Sequence, residues 1–193
     1  MAIATKKRLT LEEYLTYDDG TDTRYELVDG VLVAMPPESR LNHRIASFLF
    51  ASFLRLGIES DLLCIGLQIA VSSPKASARQ PDFVILSPSA DEELGALKSD
   101  LITYEVPVPQ LVVEIVSPGA DNHDRDYVEK PIEYAARGIP EYWIVDPYRA
   151  VVLVGTLMDD AYQFQTFEGN TRIVSPTFPA LNLTAMQVLN AGR

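Results

Sequence analysis

The run Leu111-Val112-Val113-Glu114-Ile115-Val116 constrains the chain more than any other segment. Six residues of this kind predict a strand buried on both faces of a sheet. Glu114 in its middle has to lose its water. An ionised carboxylate in apolar surroundings costs several kcal/mol unless a metal, a cation or several donors meet it. A strand that only had to pack would carry Val or Leu there. Glu114 is therefore a candidate functional group, and the rest of the chain should supply its partners.

The segments around it read as alternating strands and helices. After that strand, Ser117-Pro118-Gly119 turns into a helix from about Asp124 to Arg137, ended by Gly138, and Tyr142-Trp143-Ile144-Val145 forms a further strand closed by Asp146-Pro147. Strand, helix, strand at this spacing predicts a parallel βαβ crossover. Upstream, Thr10-Leu11-Glu12-Glu13 has the form of a capping box opening a helix that ends before Asp18-Asp19-Gly20. Arg24 to Met35 predicts a hairpin turning at Asp29-Gly30 and closed by Pro36-Pro37. A helix is expected from about Ser39 to Leu56, stopped by Gly57. It is apolar on more than one face, which suggests deep burial or a homodimer contact.

Residues 61–71 read as a strand, Ser72 to Gln80 as a polar loop, Pro81-Asp82-Phe83-Val84-Ile85-Leu86 as a strand and Ala90 to Ser99 as a short helix. Residues 149–157, 161–168 and 171–174 suggest an antiparallel meander, and Thr184 to Asn190 a terminal helix. The whole is α/β, a central mixed sheet flanked by helices, in a single domain over residues 1–193.

Composition sets limits on function. Apolar residues make up 47% and charged residues 22%, the balance of a soluble globular protein. No apolar stretch approaches the ~18–20 residues of a membrane span. Met1 to Arg8 is basic but lacks a following apolar region, so no secretory signal is expected, and the single cysteine, Cys64, fits a reducing, cytoplasmic setting. Cys64 lies among Leu62, Leu63 and Ile65 and reads as a buried structural thiol. A net charge of −11 opposes nucleic-acid binding through phosphate contacts alone; it calls for a locally basic groove, divalent cations or an assembly, and is equally consistent with mere solubility.

Asp82 opens one expected strand and Glu114 lies in another, and two acids on neighbouring strands can converge on one Mg²⁺. Read alone, Asp82 is a strand-entry turn residue. Glu26, between Tyr25 and Leu27, reads as a solvent-facing strand acid. Lys130 pairs at i,i+4 with Asp126, or alternatively holds an attacking water. Pro131 should bend or restart the helix there. His43 reads as a helix-surface side chain, and His123 sits in an acidic segment, Asp121 to Asp126, that lacks EF-hand spacing. There is no Gly-rich phosphate loop, Gly-x-Ser-x-Gly elbow or paired-cysteine zinc pattern.

In order along the chain, Tyr25-Glu26-Leu27-Val28-Asp29-Gly30, His43, Pro81-Asp82-Phe83-Val84, Val113-Glu114-Ile115-Val116-Ser117-Pro118, Asp126 with Lys130 and Tyr134, and Gly138-Ile139-Pro140-Glu141-Tyr142-Trp143-Ile144-Val145-Asp146-Pro147 resemble the Uma2 family of the restriction-endonuclease-like PD-(D/E)xK superfamily. That resemblance implies a metal site at one end of the sheet. Glu26, Asp82, Glu114 and the carbonyl of Ile115 would hold Mg²⁺ or Mn²⁺, with His43 a further candidate, and the reaction would be hydrolysis of phosphodiester bonds in nucleic acid, DNA in the first place. The superfamily lysine two residues after the second acid is replaced by Val116, and Lys130 resembles a migrated substitute. Two other readings stand beside it: a catalytically inactive binding module on the same fold, and a metal-assisted hydrolase of small phosphoesters that needs no basic groove.

Overall fold

A computed structural model describes residues 8–21, 23–35, 39–71, 77–97, 100–119 and 123–191. Its centre is a six-stranded mixed sheet in the order β11-β10-β9-β8-β6-β3. These strands are β3 (Leu63–Cys64), β6 (Phe83–Ile85), β8 (Leu111–Ile115), β9 (Glu141–Asp146), β10 (Val151–Met158) and β11 (Ala161–Glu168). All five residues of β8 are buried, and β8 runs parallel to β9 with Glu114 opposite Ile144. The crossover between them is helical, as the strand spacing predicts.

A second mixed sheet, in the order β2-β1-β5-β4-β7, is built from β1 (Tyr25–Val28), β2 (Val31–Ala34), β4 (Gln68–Val71), β5 (Ser77–Arg79) and β7 (Leu101–Ile102). The β1–β2 turn has Asp29 and Gly30 both at positive φ (50° and 77°), the conformation of a two-residue primed hairpin turn. The expected central mixed sheet is thus joined by a second. The segment 61–71, expected as one strand, contributes to both: β3 and β4 belong to different sheets, and the chain turns between them through Gly66 at φ 86°. Within the expected polar loop, Ser77–Arg79 is instead a fully buried strand pairing with both β1 and β4.

Five helices are described: α1 (Leu11–Leu15), α2 (Arg40–Leu56), α3 (Pro88–Leu97), α4 (Lys130–Arg137) and α5 (Ala185–Leu189). Thr10 and Glu13 form the expected capping box, and Ser39 and Gly57 cap α2 at its two ends. The apolar side chains of α2 are largely absorbed by the protein itself. Ile45, Leu49 and Phe53 lie in the core, Phe48, Phe50 and Leu56 pack against it, and Leu54 is exposed. Residues 171–174 make only an isolated bridge, Arg172 to Thr184. The expected closures at Pro36-Pro37, Ser72 to Lys75 and Ser99, and the Asp121-Asn122 part of the acidic segment, lie outside the described residues.

Alternation along β8 divides the interior. Val113 and Ile115 face α2 and α5 in one core cluster. Val112 and Val116 face the opposite way, into a cluster with Ile69 and Val71 of β4, Leu94 of α3 and Tyr134 of α4. Glu114 shares that second face by period two. Among the described residues no helix is long and apolar enough to cross a membrane.

Candidate active site

The helix that meets Glu114 does not begin regularly. Arg125–Glu129 forms a π-helical turn, and the Lys130 amide donates five residues back to the Arg125 carbonyl. Pro131, which has no N–H and whose ring crowds the preceding turn, then occupies the first turn of α4. The wide turn brings Asp126 and Lys130 to the same side. Tyr142 pins it by donating to the Asp126 carbonyl at 2.9 Å, and Tyr127 by donating to the Asp146 carboxylate at 2.9 Å.

Lys130 and Glu114 meet there. The ammonium Nζ lies 2.7 Å from Glu114 Oε2 and 3.0 Å from Asp126 Oδ1, and the Tyr134 hydroxyl donates to Glu114 Oε1 at 2.8 Å. Glu114 is 3% exposed and Lys130 2%. Burial raises the Glu114 pKa well above the carboxylate range; Lys130 pulls it down, and the nearby charges of Asp126 and Asp82 push it up again. For Lys130, desolvation opposes the charge, but Glu114, Asp126 and Glu26 together raise its pKa. The lysine stays protonated, and burial with the surplus of neighbouring acids makes Glu114 the group that keeps its proton to higher pH.

Asp82 arrives from the neighbouring strand. β6 and β8 are antiparallel with Phe83 opposite Val113, so one further step of register sets Asp82 beside Glu114. Its Oδ2 accepts from the Ile115 amide at 2.6 Å. Asp82 therefore caps the end of β8 and lines a small cleft, about 80 Å³, together with Glu26, Glu114, Ile115, Asp126 and Lys130. The Ile115 carbonyl accepts from Asn42 Nδ2 at 2.9 Å, which ties the start of α2 to the cleft wall.

Glu26 is not the solvent-facing acid its strand position suggests: it is 2% exposed. Its Oε1 accepts from the Gln80 amide at 3.1 Å, and Arg79 Nη1 lies 3.4 Å from its Oε2. Arg79 is the keystone behind the cleft. Its guanidinium also reaches Glu133 at 2.7 Å and Glu129 at 3.2 Å, joining β5 to the π-turn and α4. Burial penalises the Glu26 carboxylate, but Lys130 and Arg79 outweigh that and hold its pKa below the ordinary value.

His43 stands apart. It is exposed on α2 and does not line the cleft; the adjacent Asn42 does. The residues that sequence reasoning did not place in the site include Arg24, Asn42, Arg79, Gln80 and Arg125. Only the Asp126–Lys130 spacing gave a signal for what lay beside them. Glu141 and Asp146, in the most distinctive motif, serve the scaffold: Glu141 accepts from the Trp143 indole at 2.6 Å, and Asp146 from the Tyr148 and Arg149 amides.

The cleft's donors suit a hard divalent cation. They are carboxylate and carbonyl oxygens, with no histidine or cysteine in the lining among the described residues. Among those residues four acids, Glu26, Asp82, Glu114 and Asp126, outnumber the three cations Arg24, Arg125 and Lys130. Among the described residues no three acids, histidines or cysteines converge as a ready-made cage.

A search of curated proteins gave no match. Among solved structures, the crystal structure of a protein described as a "putative nuclease" from Anabaena variabilis ATCC 29413 is similar, with a TM-score of 0.68. It is 14% identical and is matched over 96% of this chain and 99% of its own, which establishes a shared fold. The profile of the Uma2 family, described as "Putative restriction endonuclease", matches residues 11–186. With nearly the whole chain matched, the protein belongs to the Uma2 family.

Proposed function

We propose that the protein is a divalent-metal-dependent endonuclease that hydrolyses phosphodiester bonds, DNA being the first substrate to test. The observation that carries this reading is the meeting of Lys130 with Glu114 at 2.7 Å in the cleft that Asp82 lines. It supports Lys130 as the substitute for the superfamily lysine that Val116 replaces, since a side chain from the next helix reaches Glu114.

In this reading Asp82, Glu114 and the Ile115 carbonyl hold Mg²⁺ or Mn²⁺. Glu26, its oxygens turned to the Gln80 amide and the Arg79 guanidinium, contributes its charge and acts through bound water. The bound cation supplies a lowered pKa for a coordinated water and neutralises charge building on the phosphate. Lys130, held charged by Glu114 and Asp126, orients the attacking water and adds positive charge beside the phosphate. Tyr134 fixes the other Glu114 oxygen. The net charge of −11 favours the inactive-module alternative, and activity decides between them.

The test is incubation of supercoiled and single-stranded DNA with wild type, Asp82→Ala and Glu114→Ala in Mg²⁺ or Mn²⁺. Cleavage by wild type that both variants abolish is the expected result. Absence of cleavage, with Mn²⁺ affinity unchanged in both variants, would favour the binding module.

A further inference from the structure

The cations around the cleft differ in what they already hold. Lys130 is shared between two carboxylates, and Arg79 is taken by Glu26, Glu129 and Glu133. Arg125 is different. It lines the cleft on the π-turn, its side chain only 28% exposed, yet its buried Nε makes no hydrogen bond among the described residues. Among the described residues its one ion-pair contact is Asp126 Oδ1 at 3.5 Å, an oxygen that Lys130 approaches more closely, at 3.0 Å. Among those residues the guanidinium is thus half-sequestered and held by a single long contact.

We infer that Arg125 is the phosphate-binding residue of the cleft, engaging non-bridging oxygens of a nucleic-acid phosphodiester. This rests on the nuclease reading and extends it to how the substrate is held. The physical need is plain. A phosphodiester entering the cleft meets Glu26, Asp82, Glu114 and Asp126, and Lys130 is already shared between two of those acids. A planar guanidinium presents paired donors that match two phosphate oxygens, which a lysine does not. Held one residue before Asp126, Arg125 also sets the phosphate next to the Asp126–Lys130–Glu114 chain. Among the described residues no hydrogen bond to the Nε fixes the guanidinium in place, so its outer nitrogens are free to turn to a phosphate.

The experiment measures anisotropy of a fluorescein-labelled single-stranded oligonucleotide of about ten nucleotides, in Ca²⁺, across a salt series. Arg125→Ala is expected to weaken binding at least tenfold and to lower the salt slope by about one. Arg125→Lys should fall several-fold, since it keeps the charge and loses the fork. Arg55→Ala, near the far end of α2, should bind as wild type does. Mn²⁺ affinity and thermal stability, which a scaffold role would disturb, should be unchanged in Arg125→Lys. Equal oligonucleotide binding by wild type and Arg125→Ala would overturn the inference, as would no binding by wild type. Selective loss of binding in Arg125→Ala without DNA cleavage by wild type would remove the nuclease reading and leave the phosphate site standing. Cleavage by wild type with binding unchanged in Arg125→Ala would do the reverse.

Discussion

Replacing Glu114 with glutamine is expected to stabilise the metal-free protein above neutral pH. The Glu114 carboxylate, ordinarily near 4.5, is pushed up to about 8, first by burial and then, against the pull of Lys130, by Asp126 and Asp82. The sign follows from linkage. An acid whose folded pKa is raised gives its full stabilisation below the unfolded value and loses it as pH rises through the folded one. Each pH unit in that interval costs about 1.4 kcal/mol, so the penalty near pH 8 is on the order of 4 kcal/mol. Glutamine cannot ionise and so removes the penalty, and the value of about 8 already includes the pull of Lys130. The gain is then at most about 4 kcal/mol, and at roughly 2–4 °C per kcal/mol the melting temperature rises by up to about 8–16 °C. Thermal unfolding in EDTA, followed by circular dichroism, should show the gap between the two proteins opening from near zero at about pH 4 to its largest value at about pH 8–9. A melting temperature several degrees below wild type at that upper end would refute the reasoning. It would mean that the Glu114–Lys130 pair stabilises the fold outright and that no excess of acid charge exists there.

Lys130→Met should lower DNA cleavage by at least about a hundredfold, with Mn²⁺ affinity retained, on the scale of a lost electrostatic contact to the transition state; unchanged turnover would remove Lys130 from the chemistry. Arg79→Met leaves Glu26 and Glu133 facing each other without their shared cation, and should cost about 3–5 kcal/mol, read as a lower midpoint in urea; an unaltered midpoint would show that the network adds nothing. Mn²⁺ binding should strengthen from about pH 6 to pH 9 as the proton on Glu114 is displaced, with close to one proton released in calorimetry in two buffers; pH-independent affinity would contradict it. Burial raises the Cys64 thiol to about 11, so its reaction with a disulfide reagent at pH 8 should be much slower than that of an unfolded control; comparable rates would show an exposed thiolate.

The features legible in the sequence were those with a local cause. Apolar continuity marked β8, the Asp29-Gly30 pair marked the hairpin, and strand spacing marked the parallel β8–β9 crossover. What stayed hidden depended on contacts between distant segments. Ser77–Arg79 is too short and too polar to read as a strand, and only its pairing with β1 and β4 makes it one. That pairing buries Arg79, and Arg79 in turn draws Glu26 inward from the surface its strand pattern suggested. The division into two sheets likewise turns on a single residue, Gly66, whose conformation has no signature beyond the glycine itself. At the site, Glu114 stood out because a charge in an apolar run is costly wherever it lies. Arg125 and Asn42 did not, since a polar residue in a helical turn looks the same whether it faces solvent or a cleft.

The most direct measurement is anomalous diffraction from crystals soaked in Mn²⁺. The expected result is one strong peak at the rim of β6 and β8, about 2.1–2.2 Å from carboxylate oxygens of Asp82 and Glu114, absent in Asp82→Ala. Mn²⁺ bound elsewhere, or no peak at those two acids at saturating metal, would contradict the central claim that they form a metal centre.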